Sequence, residues 1–170
     1  MRHFSRTLTV VCYMILIVLA AVALHADDRS PSKVKASAIK VEMVQSEGIK
    51  LPAEFQVALY ENMIQQLKKK SGFAQVFRDG DRNTRDIPHL VVMRSTVTSF
   101  KEGSERKRQV TTVAGATSIT VHCQFRDSSG NVVLERDING KVRFFGANLK
   151  ATYDFAKRAA CVAHDNFSSM

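Results

Sequence analysis

Residues Ser118–Arg126 read SITVHCQFR, the short segment Asp127-Ser128-Ser129-Gly130-Asn131 follows, and Val132–Ile138 then returns as VVLERDI. Ile119, Val121, Cys123 and Phe125 alternate with polar residues, the period-two pattern of a strand with one buried face. Asp, Ser, Gly and Asn each favour tight turns, so the segment predicts a hairpin with Gly130 as a turn glycine. Two strands joined so closely must be antiparallel neighbours, and their apolar face needs a cover. Every acceptable fold therefore contains an antiparallel pair backed by another layer. Asn139-Gly140 is a second hairpin signal, which predicts a turn at Gly140 and a further strand over Lys141–Phe145.

The cover is legible on either side of these strands. Pro52 can open a helix, because its missing N–H has no helical partner in the first turn. Phe55, Leu59, Met63 and Leu67 then recur at helical spacing, widened by Tyr60 and Ile64. Lys68, Lys69 and Lys70 fall in the last turn, where the negative end of the helix dipole favours cations, and Gly72 ends the helix. A second, alanine-rich helix is predicted from about Ala147 to Phe167. Ser37–Val44 alternates as a first strand, Phe73–Phe77 is a short one, and His89–Phe100 has the apolar run of a central one. The predicted order is β-α-β-β-β-β-β-α. It describes a two-layer α+β sandwich with a mostly antiparallel sheet and two helices packed on one face.

The N-terminus sets the compartment. Arg2 and Arg6 precede an uncharged apolar run from Leu8 to Leu24, and Ala26 precedes Asp27. A basic start, an apolar middle and a small residue before an acidic one describe a secretory signal over residues 1–26. The run also approaches the roughly 18 residues that span a bilayer, so an uncleaved N-terminal membrane anchor is the alternative, an inner-membrane tether. Both readings export the rest of the chain, because the arginines stay inside. The expected location is the bacterial periplasm, either free or membrane-anchored facing it. Residues 27–36 read as a polar linker, and 37–170 as a single α+β domain.

The full sequence carries a formal net charge of +9. Residues 1–26 contain two of its arginines and no acid, so the exported part stays basic. A basic exported protein can meet anionic lipid or an acidic envelope polymer. Export also permits disulfides. Cys123, however, lies on the predicted buried face of a strand, and Cys161 beside Lys157 and Asp154 on the exposed side of the last helix. Two free thiols are therefore expected.

Four chemistries lack a complete motif in this chain. Asp79, Asp81 and Asn83 imitate the start of an EF-hand loop, but Thr84 replaces its glycine and Leu90 its bidentate glutamate, which leaves a charged turn. His89, His122 and His164 share no metal-ligand spacing. Ser104 lacks the G-x-S-x-G frame of a nucleophile elbow, and Cys161 has no orienting base. The segment FKEGSERKRQVTTVAGATS, Phe100–Ser118, has the glycines and cations of a phosphate cradle, but Gly103 and Gly115 are too far apart for a P-loop. It reads instead as strand, turn at Gly103, and a new strand from Arg106. Lys101, Arg106, Lys107 and Arg108 are its candidate partner or anion contacts. No aromatic residues interleave there as a base-stacking surface needs, so no nucleic-acid partner is expected. No cofactor or metal site is predicted.

HLVVMRSTVTSFKEGSERKRQV, SITVHCQFRDSSGNVVLE and FFGANLKATYDFAKRAA, in that order, resemble the exported bacterial family known as domain of unknown function 4410. Val97, Phe100, Gly103, Ser104, Arg108, Asp127, Gly130, Val133 and Gly146 carry the resemblance, which spans nearly the whole exported part. The chain departs from it at Ala114-Gly115-Ala116, where the family pattern is richer in glycine. The resemblance implies export and no enzymatic activity. Family members often carry a lipid-anchoring cysteine, and no cysteine follows the apolar run here.

Three functions are expected in order. The first is a non-catalytic cell-envelope module that binds a protein or an envelope component. The second is a binder of anionic polymer or lipid, and the third a hydrolase-type enzyme using dispersed residues such as His122 or Cys161.

Overall fold

The computed structural model describes residues 33–84, 86–110, 115–143 and 146–169. The predicted export signal and most of the linker lie outside them. The elements run β1 (Val34–Lys35), β2 (Ala38–Val41), α1 (Ala53–Lys70), β3 (Gln75–Phe77), β4 (Leu90–Lys101), α2 (Glu105–Val110), β5 (Thr117–Arg126), β6 (Val132–Val142), α3 (Lys150–Asn166) and β7 (Phe167–Ser168).

The main sheet has the order β3-β2-β4-β5-β6. β2 pairs parallel with both β3 and β4, whereas β4-β5 and β5-β6 are antiparallel. The sheet is thus mixed. The parallel half follows from α1, which carries the chain from the end of β2 back to the start of β3. α1 and α3 pack together against one face of the sheet, giving the two-layer α+β architecture that the sequence predicts.

The core lies between those layers. Leu59, Met63, Ile64 and Leu67 of α1 meet Val91, Met93 and Val97 of β4 and Ile119, Val121, Cys123 and Phe125 of β5, all buried. Each such apolar side chain taken out of water stabilises the fold by about 1.5–3 kcal/mol before entropy is counted. α3 contributes a different surface. Ala151, Ala156, Ala159, Ala160 and Ala163 are fully buried around Phe155, and their small side chains let the helix backbone approach the sheet closely.

That approach corrects the prediction at Gly140. Asn139-Gly140 forms no turn, and β6 runs straight through it to Val142. Gly140 pairs with Ile119 and faces α3. A Cβ there would fall 2.1 Å from the Ala151 carbonyl oxygen and 2.6 Å from the Phe155 Cβ. The glycine is needed for helix-on-strand proximity, not for chain reversal.

Two other boundaries move. The end of the expected linker belongs to the fold: β1 pairs in parallel with β7, and Ala36 is fully buried. The segment starting at Arg106, read as a strand, is the short helix α2.

Candidate functional site

The Phe100–Ser118 segment is built around two glycines that face each other. Ser104 N donates to the Gly115 carbonyl at 3.1 Å, and Arg108 N donates to the Ser104 carbonyl at 3.1 Å. A Cβ on Gly103 would meet the Gly115 oxygen at 2.1 Å, and one on Gly115, where φ is +92°, the Ser104 oxygen at 2.6 Å. Gly103 does sit where the chain leaves β4, but close backbone approach is what requires it. Gly130 is the turn glycine of the set, with φ +86° and open space around it. Its hairpin is closed by Asp127 N to the Asn131 carbonyl at 2.9 Å, while Asp127 Oδ1 accepts from Ser129 N and Asn131 N.

The four candidate cations separate. Arg108 is 3% exposed, whereas Lys101, Arg106 and Lys107 are exposed. α2 turns Arg108 inward, where Nη1 donates to the Gly115 carbonyl at 2.6 Å and Nη2 to the Gly146 carbonyl at 2.8 Å and Asn148 Oδ1 at 2.8 Å. Thr117 Oγ1 also donates to Asn148 Oδ1, at 2.7 Å. The Asn148 backbone N–H donates to Glu105, and its side-chain amide to the Gly103 carbonyl. A planar guanidinium suits this arrangement, since it presents donors to several fixed oxygens at once. Arg108 therefore fastens the β4–β5 connection to the start of α3 and offers nothing to a partner. This corrects its reading as an anion contact. Lys101 and Lys107 remain at the surface, beside a pocket of about 450 Å³ lined also by Glu102, Gly103, Ser104, Gly115 and Ala116.

The face of the sheet turned away from the helices is polar. Arg94 pairs with Glu42 at 2.9 Å, and Thr120 Oγ1 donates to Asn139 Oδ1 at 2.7 Å. His122 sits between two carboxylates of β6, with Nδ1 2.7 Å from Asp137 Oδ1 and Nε2 2.8 Å from Glu135 Oε1. The Asp137 hydrogen bond is the larger of the effects raising its pKa above the ordinary imidazole value. Sequence spacing placed His122 on this face but did not find its carboxylates. They depend on a register shift between Phe125 and Arg126 that brings Asp137, and not Arg136, opposite His122.

The remaining candidates keep apart. Cys123 is buried, Cys161 exposed, and both are free thiols. Burial pushes the Cys123 thiol up to about 12, so it stays protonated at neutral pH. Asp79 Oδ2 accepts from Met43 N and Asp81 Oδ2 from Arg78 N, which commits both carboxylates to backbone groups. Among the described residues no group of His, Cys, Asp or Glu is placed to hold a metal ion, and no helix is long and apolar enough to cross a membrane.

The molecule is, by these features, a two-layer α+β domain with an internally clamped connection and an open polar sheet face. The chain belongs to the family described as domain of unknown function (DUF4410), whose model matches residues 29–142. Among curated proteins, none is recognisably similar in sequence. Solved structures of the PelC dodecamer from Paraburkholderia phytofirmans share the fold. One has 11% identity and a TM-score of 0.59, and covers 81% of this chain and 92% of that one. Another, a single-site variant, has 14% identity and a TM-score of 0.55 at the same coverage.

Proposed function

We propose that this chain is a non-catalytic, exported cell-envelope protein that works by assembling with copies of itself or with another envelope protein. The observation that carries the reading is the fold it shares with PelC, a dodecamer, over 81% of its length. The N-terminal pattern of Arg2, Arg6 and Leu8–Leu24 supports export to the periplasm, with a membrane anchor facing that compartment as the alternative. The site chemistry agrees with a structural role. The most conspicuous cation of the glycine-rich segment is spent on holding the fold, and both ring nitrogens of His122 are paired with carboxylates.

The test is native mass spectrometry of the protein recovered from the periplasm, together with crosslinking in intact cells. The expected result is a discrete oligomer, or crosslinks concentrated on one envelope protein. A monomer at every concentration with scattered crosslinks would overturn the reading. Should substitution of both His122 and Cys161 abolish the cellular phenotype while the oligomer persists, an enzymatic function replaces it.

A further inference from the structure

The far end of β6 and the first turn of α3 enclose an open groove of about 700 Å³, lined by Lys141, Val142, Arg143, Ala147, Leu149, Lys150 and Tyr153. Its surface is mainly apolar. Tyr153 is 49% exposed, although a surface helix position facing nothing would ordinarily be polar. Lys141, Arg143 and Lys150 are exposed around it. None of their charged heads has a partner among the described residues, in contrast to Arg78, Arg94, Arg108 and Arg158, which are all engaged. The neighbouring carboxylate, Asp154, is already engaged: its Oδ2 accepts from the Lys141 backbone N–H at 3.0 Å and from Arg158 Nε at 3.1 Å. The first turn of α3 also lacks an acidic residue, so the positive end of its dipole adds to the field of the three cations.

An apolar trough rimmed by unpaired cations is complementary to a molecule that joins an anionic head to an apolar tail. We infer that this groove binds an anionic phospholipid, with the phosphate at Lys141, Arg143 and Lys150 and part of an acyl chain against Val142, Leu149 and Tyr153. A soluble acidic polymer would satisfy the cations and leave the apolar surface wet. A neutral amphiphile would do the reverse. The lipid satisfies both, which makes it the occupant that the groove's composition selects. The inference stands independently of the proposed assembly, since it concerns a surface on the single chain.

The experiment is flotation of the purified protein with phosphatidylcholine vesicles, with and without phosphatidylglycerol, across a salt series. Binding is expected only with phosphatidylglycerol, weakening as salt rises. Each rim cation is expected to contribute about fivefold in affinity, so K141E/R143E/K150E should lower binding by two orders of magnitude or more. The control K68E/K69E/K70E alters the exposed lysines at the end of α1 by the same charge and should retain most of the binding. Tyr153→Ala should weaken the binding that survives at high salt. Unfolding transitions matching the wild type establish that each variant is folded. Equal losses in the two triple variants would overturn the inference, leaving only general basic attraction. So would complete competition by inorganic phosphate, or indifference to phosphatidylglycerol.

Discussion

The helix-covered side of the molecule and its open side use polar groups in opposite ways. At the start of α3, Arg108 is buried and its guanidinium reaches neutral oxygens of Gly115, Gly146 and Asn148. On the open side His122 has comparably short contacts, but to the charged groups of Asp137 and Glu135, and its side chain is 29% exposed. Counting contacts would rate the two alike. Solvent separates them: the partners of His122 are largely exposed, whereas the Arg108 side chain itself is buried and its oxygens are only partly open to water. The buried cluster determines geometry, while the exposed one adjusts the fold's response to its medium.

The sharpest way to break this comparison is to remove the buried cation. Arg108→Met keeps the aliphatic bulk but removes three charge-assisted hydrogen bonds, with an expected loss of about 4 kcal/mol at roughly 1.5 kcal/mol for each. Arg108→Lys should rescue only part of this, because a single ammonium cannot reproduce the fork that reaches three oxygens at once. Urea denaturation measures both. A loss under about 1 kcal/mol for the methionine variant would mean that the clamp is no different from a surface contact.

The next effect concerns two glycines that the sequence presents alike. Gly140 and Gly130 each follow a turn-favouring residue in a hairpin-like stretch. Gly140→Ala should cost about 3 kcal/mol, since its Cβ meets the Ala151 carbonyl on a helix that cannot shift alone. Gly130→Ala, with open space but φ +86°, should cost about 1 kcal/mol from the left-handed backbone alone. Thermal melts of the two variants suffice, and equal losses would show that backbone conformation, and not helix proximity, sets the requirement at both positions.

These pairs also show what could be read from the chain. The apolar stripe of α1, the alternation of β5 and the Asp127–Asn131 turn are local signals, and they specified both layers of the fold. Gly140 was misread because a local hairpin preference was overridden by a helix that arrives later in sequence. Arg108 was misread because the two oxygens that draw it inward belong to Gly146 and Asn148, distant in the chain. The partners of His122 were hidden by a single bulge: without the shift between Phe125 and Arg126 it would face Arg136, a repulsive neighbour, and not Asp137. Local chemistry was legible, and long-range register was not.

The smallest expected effect sharpens the open side. The His122 pKa is raised in the folded protein, chiefly by its hydrogen bond to Asp137. Its contribution to stability is therefore fully present below the unfolded imidazole value near about 6.5, and is lost as pH rises through the higher folded-state value. Above that, one imidazole nitrogen presents a lone pair to a carboxylate, and the bridge between Asp137 and Glu135 is gone. Stability measured by urea from about pH 5.5 to about pH 8.5 should fall with this group's titration. His122→Gln should flatten that part of the profile while costing at most about 1 kcal/mol at the acid end, because solvent and salt screen so exposed a cluster. A profile unchanged by the substitution would mean that another group sets the slope. A loss approaching that of Arg108→Met would mean that the open face is shielded from water, as it would be if another chain covered it.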